Sequence, residues 1–340
     1  MECKFYHLKW SPRFKEGRLL ISSYKNVAGL SLGGGRKENF FFSLLEYYPE
    51  KKRWFLKSLH QVKDEEIRDR DEIITTWIET YGLKKLVVDF PLSRPPCEDS
   101  CLASCTGAKS CPRLNVTQVR EEMEKLLEED AEFQKTNPKK YEQERVSSLE
   151  VDYSKNLLKK NTDEHMLSRS FKRKLRKGFT PYWHRPIDFW VWKNYYDQLL
   201  EVFKISYESF GNVSYMLLAR LNYLLRHFPK DLTMYESNIH ICLLELYRAR
   251  VVSKSLLLQL FDLDLASSAR EQIIMNIEEH MQIFIYENDM DTIIKNVQAF
   301  DSFILSVVGQ RMLMNGLRDI PAWINSDNGN FIVPTFHVQG

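Results

Sequence analysis

The spacing of apolar residues predicts short strands alternating with amphipathic helices. From residue 18 onward, β-rich segments are separated at Lys25 and at the turn Gly33–Gly35, a pattern typical of an antiparallel meander. The third strand is either Phe40–Tyr47 or Arg53–Leu59, and the pattern does not decide between them. We therefore expect three antiparallel strands in the first part of the chain.

A helix and a buried strand follow. Between Asp64 and Tyr81 the apolar residues recur at helical spacing, and the segment ends at Gly82, as helices commonly do. Lys85–Asp89 is short and continuously apolar, which favours a strand buried on both faces. The later elements that the pattern predicts are strands at Leu232–Ser237 and Phe331–Phe336 and helices at Ile239–Ala249, Ala269–Tyr286 and Met290–Val308. This order indicates an α/β fold.

The middle of the chain interrupts the alternation. Pro95 and Pro96 follow the central strand, four cysteines come next, and charged helical sequence runs from about residue 117 to 150. A strongly basic stretch then extends to residue 177, and aromatic residues begin at Tyr182. We therefore expect residues 1–96 and 181–340 to form two parts of one core. Residues 97–180 would form a cysteine-rich and charged helical insertion between them.

Composition agrees with an ordinary globular protein. The 340 residues are 44% apolar and 28% charged, which argues against disorder and against a fibrous repeat. A formal net charge of +2 gives the whole chain no preference for nucleic acid or membrane. The N-terminus lacks a signal-peptide pattern, and no apolar run approaches the ~20 residues of a membrane span. We expect a cytoplasmic protein without a membrane partner.

Three acidic residues occupy positions where sites form in α/β proteins. Asp89 closes the buried strand, Glu236 lies near the end of a later strand, and Asp301 lies within an amphipathic helix. Groups beyond the carboxyl ends of strands are where open α/β sheets bind ligands. An aspartate before Phe-Pro is also a common turn residue, and the other two acids also suit solvated positions. Spacing alone leaves both interpretations open.

Several short motifs occur in the same order as in a known family. They are VVDFPLSRPP (Val87–Pro96), YWHRPID (Tyr182–Asp188), MYESNIHICLLEL (Met234–Leu246), QAFDSFILSVVGQ (Gln298–Gln310) and GNFIVP (Gly329–Pro334). In these segments the chain resembles the DUF429 family, which is described as predicted nucleases with the ribonuclease H fold. The resemblance covers the core from about residue 18 to 334, while the charged middle segment has no obvious counterpart.

The resemblance implies both a fold and a reaction. The fold is a ribonuclease H-like mixed sheet flanked by helices, with its first three strands antiparallel. The reaction is metal-dependent hydrolysis of phosphodiester bonds in nucleic acid, with Asp89, Glu236 and Asp301 as catalytic residues. Clustered carboxylates hold Mg²⁺ or Mn²⁺ in such sites, and the cation orients a water for in-line attack.

The chain departs from the family pattern at two places. Where the first strand of the family presents an aspartate, this chain has Ser22 and Ser23, and it has Gln298 where the helix often carries an additional acid. Either serine offers a neutral hydroxyl ligand, which does not replace the charge of a carboxylate. These departures leave open a catalytically degenerate scaffold that binds nucleic acid or protein, and also an enzyme for a small phosphorylated metabolite.

Basic residues are candidates for contacting nucleic acid. The segment Lys155–Lys177 is rich in lysine and arginine and is followed by aromatic residues, so it either binds phosphates and stacks on bases or forms a solvated face. Arg185 matches an Arg-x-x-Asp motif of the family, and it predicts either a bidentate phosphate contact or a salt bridge with Asp188. The other candidate substrate-binding residues are Lys172, Arg173, Lys174 and Arg176.

Four cysteines predict a second metal site. Cys97, Cys101, Cys105 and Cys111 lie within one short loop that prolines restrict. Thiolates favour Zn²⁺ or iron–sulfur clusters, and four of them closing a tetrahedron leave no open coordination position. The spacing differs from the usual Cys-x2-Cys, and the final Cys-Pro is similar to bacterial ferredoxin motifs. We expect a structural zinc site, with an iron–sulfur cluster or reduced thiols as alternatives.

Overall fold

Six strands form one mixed sheet at the centre of the protein. The structure is a computed structural model that describes residues 25–32, 40–62, 70–97, 104, 106–107, 110–140, 184–205, 215–324 and 330–336. The strands are β1 (Asn26–Ser31), β2 (Phe40–Tyr48), β3 (Arg53–Val62), β4 (Lys85–Val88), β5 (Thr233–Glu236) and β6 (Ile283–Phe284).

Helices cover both faces of this sheet. They are α1 (Arg70–Thr80), α2 (Leu114–Thr136), α3 (Pro186–Phe203), α4 (Tyr215–His227), α5 (Ile239–Arg248), α6 (Lys254–Gln259), α7 (Ala266–Met281), α8 (Glu287–Lys295) and α9 (Val297–Leu313). One buried apolar cluster joins the sheet to α1 and α4, and another joins it to α3, α5, α7 and α9. α2 packs on α3 through a smaller cluster.

The strand directions bring three strand ends to one edge. The order across the sheet is β5-β4-β1-β2-β3-β6. β1, β2 and β3 are antiparallel neighbours, whereas β4 is parallel to β1 and β5 is parallel to β4. The carboxyl ends of β1, β4 and β5 therefore lie along the same edge, which we call the carboxyl edge. This is where α/β sheets commonly place their sites.

α9 lies very close to β1. A Cβ atom on Gly29 would stand 2.2 Å from the carbonyl oxygen of Ser302, so a side chain at this strand position would displace the helix backbone. The Ser302 hydroxyl donates to the Gly29 carbonyl oxygen at 3.1 Å, and the Ser43 hydroxyl donates to the Ser302 carbonyl oxygen at 2.6 Å. Gly309 packs on Val27 near the start of β1. The helix therefore runs antiparallel to β1 and begins near the carboxyl edge.

Several predicted elements are confirmed, and the α/β class with a helix-flanked mixed sheet is confirmed with them. α1 occupies the described part of the predicted first helix, and Gly82 after it adopts a φ of 56°. β4, β5 and α5 lie where the apolar pattern predicts them. α2 covers most of the described part of the predicted charged helical segment and ends at Thr136, and residues 138–140 are helical again.

The sequence offered two alternative segments for the third strand, and the structure has a strand at each of them. β2 contains Phe40–Tyr47, and β3 contains Arg53–Leu59. The first described strand begins at Asn26, and residues before 25 lie outside the described part of the chain.

Three predicted bounds near the C-terminus are wrong. The helix predicted to reach Tyr286 ends at Met281, because Gln282 adopts a left-handed φ of 52° and the chain then enters β6. The long helix predicted at Met290–Val308 is divided into α8 and α9 at Asn296, whose side chain accepts from the first backbone N–H groups of α9. Phe331–Phe336 forms isolated bridges rather than a strand.

Candidate active site

Two of the three candidate acids meet in one cleft at the carboxyl edge. Asp89 follows β4 directly, and Asp301 lies in the second turn of α9. Both line a cleft of about 250 Å³. The polar residues that share the cleft with them are Asn238, His240 and Arg270, and its apolar residues include Phe203, Phe261 and Phe300.

The end of β1 holds the Asp89 carboxylate. The Ser31 hydroxyl donates to one carboxylate oxygen at 2.8 Å, and the backbone N–H of Leu32 donates to the other at 3.3 Å. Burial raises the pKa of Asp89 from 3.8 to about 6, although these two hydrogen bonds act in the opposite direction. Asp89 is therefore oriented by β1 and still mostly ionised at neutral pH.

The pKa of the second carboxyl group, that of Asp301, is raised further than the pKa of Asp89. Burial, and then the negative charge of Asp89, raises the pKa of Asp301 to about 8, while the positive charge of Arg270 lowers it. Carboxyl groups whose pKa is raised by burial and by a neighbouring negative charge are common where a protein binds or transfers charge. At neutral pH the pair carries close to one negative charge and one proton.

Glu236 does not line this cleft. Val88 and Glu236 are partners in the β4–β5 register, so their side chains face the same side of the sheet, and Asp89 is one residue further along. Both Glu236 oxygens instead accept from the Arg185 guanidinium at 2.8 Å, and one of them also accepts from the Leu92 N–H at 2.9 Å. The structure thus separates the third candidate acid from the other two.

Arg185 belongs to a buried ion network. Its guanidinium also forms an ion pair of 2.9 Å with Asp188, and the Asp188 carboxylate accepts from the Arg185 backbone N–H at 2.7 Å, which caps α3. A further contact at 3.3 Å reaches the Ser93 hydroxyl. The two carboxylates raise the pKa of the guanidinium although burial lowers it. The salt bridge with Asp188, one of the two alternatives from the sequence, is present.

The sequence did not single out Arg270, Asn238 or His240 as site residues. Arg270 lies on α7 with no recognisable motif around it. Asn238 caps α5 by accepting from the Ile241 N–H at 3.1 Å. The His240 ring packs edge-on against Phe203 at 4.7 Å, and burial lowers its pKa to about 4, so the imidazole is neutral at neutral pH. The one available signal was the position of the last two just after β5.

The structure describes three of the remaining candidates, and the others lie outside the described residues. Cys97 and Cys111 are half-buried, while Cys101 and Cys105 lie outside the described residues, so the zinc site stays a prediction. Gln298 is exposed in the first turn of α9. The remaining candidates outside the described residues are Ser22, Ser23, Lys172, Arg173, Lys174 and Arg176.

The chemistry of the cleft suits a hard divalent cation held by few protein ligands. Within the described ranges, no group of three or more His, Cys, Asp or Glu side chains is placed to hold a metal ion. Mg²⁺ often binds through only one or two carboxylates and takes its other oxygens from water and substrate phosphates. The carboxylates of Asp89 and Asp301 fit that requirement, whereas a site made entirely of protein ligands would need more.

Among the described residues, no helix has the length and apolar character needed to cross a bilayer. No protein-family model, no curated protein and no solved structure matches this chain.

Proposed function

We propose that this chain is a metal-dependent nuclease that hydrolyses phosphodiester bonds of nucleic acid on a ribonuclease H-like core. The observation that carries the proposal is the meeting of Asp89 and Asp301 in one cleft at the carboxyl edge. The antiparallel order of β1, β2 and β3, with acids following β4 and within α9, agrees with the fold that the family resemblance implies.

Asp89 and Asp301 would hold Mg²⁺ or Mn²⁺ in this mechanism. The cation would supply an oriented water for in-line attack and would neutralise charge on the reacting phosphate. Ser31 and the Leu32 N–H fix the direction in which Asp89 presents its oxygens. A bound cation would favour release of the Asp301 proton to solvent, because its positive charge would offset burial and the negative charge of Asp89, which together raise the pKa of Asp301.

In this proposal, Glu236 positions the segment that carries Asp89. It accepts from the Leu92 N–H, three residues after Asp89, and it is paired with Arg185. A rigid segment after β4 keeps Asp89 at the cleft. Glu236 and Arg185 therefore act on the site through the backbone rather than through contact with substrate.

The proposal is tested by cleavage assays with Mn²⁺ or Mg²⁺ on single-stranded and duplex DNA and RNA. We expect cleavage that EDTA abolishes and that falls at least about a hundredfold in Asp89→Asn and in Asp301→Asn, because each removes a metal-ligand charge. The matched control is Asp291→Asn, an exposed aspartate on α8. Cleavage that continues in EDTA, or that survives the combined Asp89→Asn and Asp301→Asn changes, would overturn the proposal.

A degenerate scaffold is the second candidate function. It is favoured by the pairing of Glu236 with Arg185, which leaves Asp89 and Asp301 as the carboxylates that the described residues bring to the cleft, and by Ser31 at the end of β1, which contacts Asp89. This candidate predicts salt-sensitive nucleic-acid binding in the same samples with no cleavage under any metal. Metal-dependent cleavage that needs Asp89 rejects it.

A further inference from the structure

Arg270 is a buried cation with no carboxylate partner among the described residues. Only 6% of its surface is exposed. Its Nε donates to the Ile294 carbonyl oxygen at 2.7 Å and its Nη2 donates to the Ser267 hydroxyl at 3.2 Å, and Nη1 makes no hydrogen bond within the described ranges. Burying a charge without an opposite charge is costly. The arrangement fixes a guanidinium and leaves one nitrogen for an external anion.

The guanidinium faces the same cleft as the two carboxylates. Arg270 and Asp301 both line it, and no ion pair within 4 Å joins them in the described structure. The positive charge still acts on Asp301, whose pKa it lowers. An anion bound between a cation at the carboxylates and Arg270 would therefore be attracted from two sides. A phosphate group fits this arrangement because a guanidinium matches its oxygens.

Aromatic rings also line the cleft. The rings of Phe203 and Phe261 meet edge to face with centroids 5.7 Å apart. Phe203 is buried, whereas Phe261 is 57% exposed at the cleft and presents ring surface to solvent. Exposed aromatic rings beside a phosphate site are the usual platform on which proteins stack unpaired bases.

The size of the cleft limits what it can accept. Its volume of about 250 Å³ is below the ~300–1,000 Å³ of sites for drug-sized ligands, so it suits one nucleotide unit. A base in a duplex has both faces covered by its neighbours and cannot stack on a protein ring. An unpaired base has a face available.

We propose that the cleft binds one unpaired nucleotide of a single-stranded nucleic acid. Arg270 binds its phosphate, the Asp89–Asp301 pair with its cation faces the same phosphate, and the base packs on Phe261. This inference rests on the proposed function, since it takes the phosphate at the carboxylates as the reacting one. It adds a class of substrate, single-stranded nucleic acid, and two substrate-binding residues, Arg270 and Phe261.

The test measures binding without turnover. The probe is a short fluorescein-labelled oligothymidylate, alone or annealed to its complement, titrated with the full chain in Ca²⁺ and followed by fluorescence anisotropy. We expect the single strand to bind at least about tenfold more tightly than the duplex, which corresponds to the stacking of one base. Equal affinity for the two probes would overturn the inference.

Three variants test the contacts of Phe261 and Arg270 with the nucleotide. Phe261→Ala should weaken binding of the single strand about tenfold and leave duplex binding unchanged. Arg270→Gln should weaken binding of the single strand about tenfold or more, and Arg270→Lys should recover part of the loss because it restores the charge without the guanidinium geometry. The controls are Tyr286→Ala and Arg226→Gln, which change an exposed aromatic ring and an exposed arginine that do not line the cleft.

The outcomes separate this inference from the proposed function. Thermal melting first shows whether the Arg270 variants fold, and exposed Phe261 supplies a test that does not depend on them. Tight single-strand binding that requires Phe261 and Arg270, without cleavage in Mn²⁺, supports the inference and rejects the nuclease. Metal-dependent cleavage with unchanged single-strand binding in Phe261→Ala and in folded Arg270→Gln supports the nuclease and overturns the inference.

Discussion

The paired carboxyl groups of Asp89 and Asp301 give the protein a stability that depends on pH. Their pKa values are raised to about 6 and about 8, so the folded state keeps protons that the unfolded chain has released above about pH 4. The free energy of unfolding therefore falls as pH rises through this window, and the contribution is complete above the higher pKa. A cation between the two groups would remove the penalty at high pH.

Asp301→Asn tests this linkage in metal-free buffer. At about pH 4 the variant and the wild type should have similar free energies of unfolding, and by about pH 8 the variant should be more stable by about 2–5 kcal/mol, because asparagine never ionises. Urea unfolding at several pH values measures the difference. Added Mg²⁺ should stabilise the wild type at high pH but not the variant. Parallel pH profiles for the two proteins would contradict the raised pKa of Asp301.

Glu236 is the candidate acid that does not line the cleft, and its positioning role is a proposal that a substitution can test. Glu236→Gln leaves the buried Arg185 guanidinium with one carboxylate fewer, so we expect the free energy of unfolding to fall by about 3 kcal/mol. Urea unfolding measures this loss, and Glu271→Gln, an exposed position on α7, should change stability by less than about 0.5 kcal/mol. If Glu236→Gln keeps full stability and loses only cleavage, Glu236 is catalytic and our positioning role is wrong.

At the scale of elements, the apolar spacing within a segment correctly predicted those strands and helices that depend on that segment alone. β4 and β5 are short apolar runs and α5 has clear helical spacing, so each could be found from its own residues. Asn296 divides the last helix through a cap, a signal that periodicity alone does not carry. The register that pairs Val88 with Glu236 depends on long-range contacts between strands. That register decides which face Glu236 takes, so the composition of the site could not be predicted completely.

The contact between α9 and β1 is the element-level feature that places Asp301. Gly29→Ala puts a Cβ atom 2.2 Å from the Ser302 carbonyl oxygen, so we expect α9 to shift, with a loss of about 3 kcal/mol or more and a matching loss of metal-dependent cleavage. Gly82→Ala is the control, because it has open space around it and only a positive φ, which costs about 1 kcal/mol. Urea unfolding and cleavage assays measure both. Unchanged stability in Gly29→Ala would contradict the close packing.

At the scale of the whole molecule, we propose that the cleft and the basic segment would each contribute to the affinity for nucleic acid. A net charge of +2 on 340 residues attracts nucleic acid weakly, so affinity has to come from local groups. Under our proposal, the cleft would bind one nucleotide through Arg270 and the ring of Phe261, both of which line it. Additional phosphates along a strand would need additional cations, and the residues predicted for them are Lys172, Arg173, Lys174 and Arg176.

The salt dependence of binding tests whether these four residues contact phosphates. Each phosphate contact on a single strand contributes about −0.7 to the slope of log affinity against log salt concentration, so changing all four to glutamine should reduce the slope by about 3. The matched control changes four exposed basic residues elsewhere to glutamine and lowers the net charge equally, namely Lys51, Lys52, Arg226 and Lys230. Anisotropy titrations with the single-stranded probe at several salt concentrations measure both slopes. Equal slope changes in the two variants would mean that the effect comes from net charge, whereas a change confined to the first variant assigns the phosphate contacts to the basic segment.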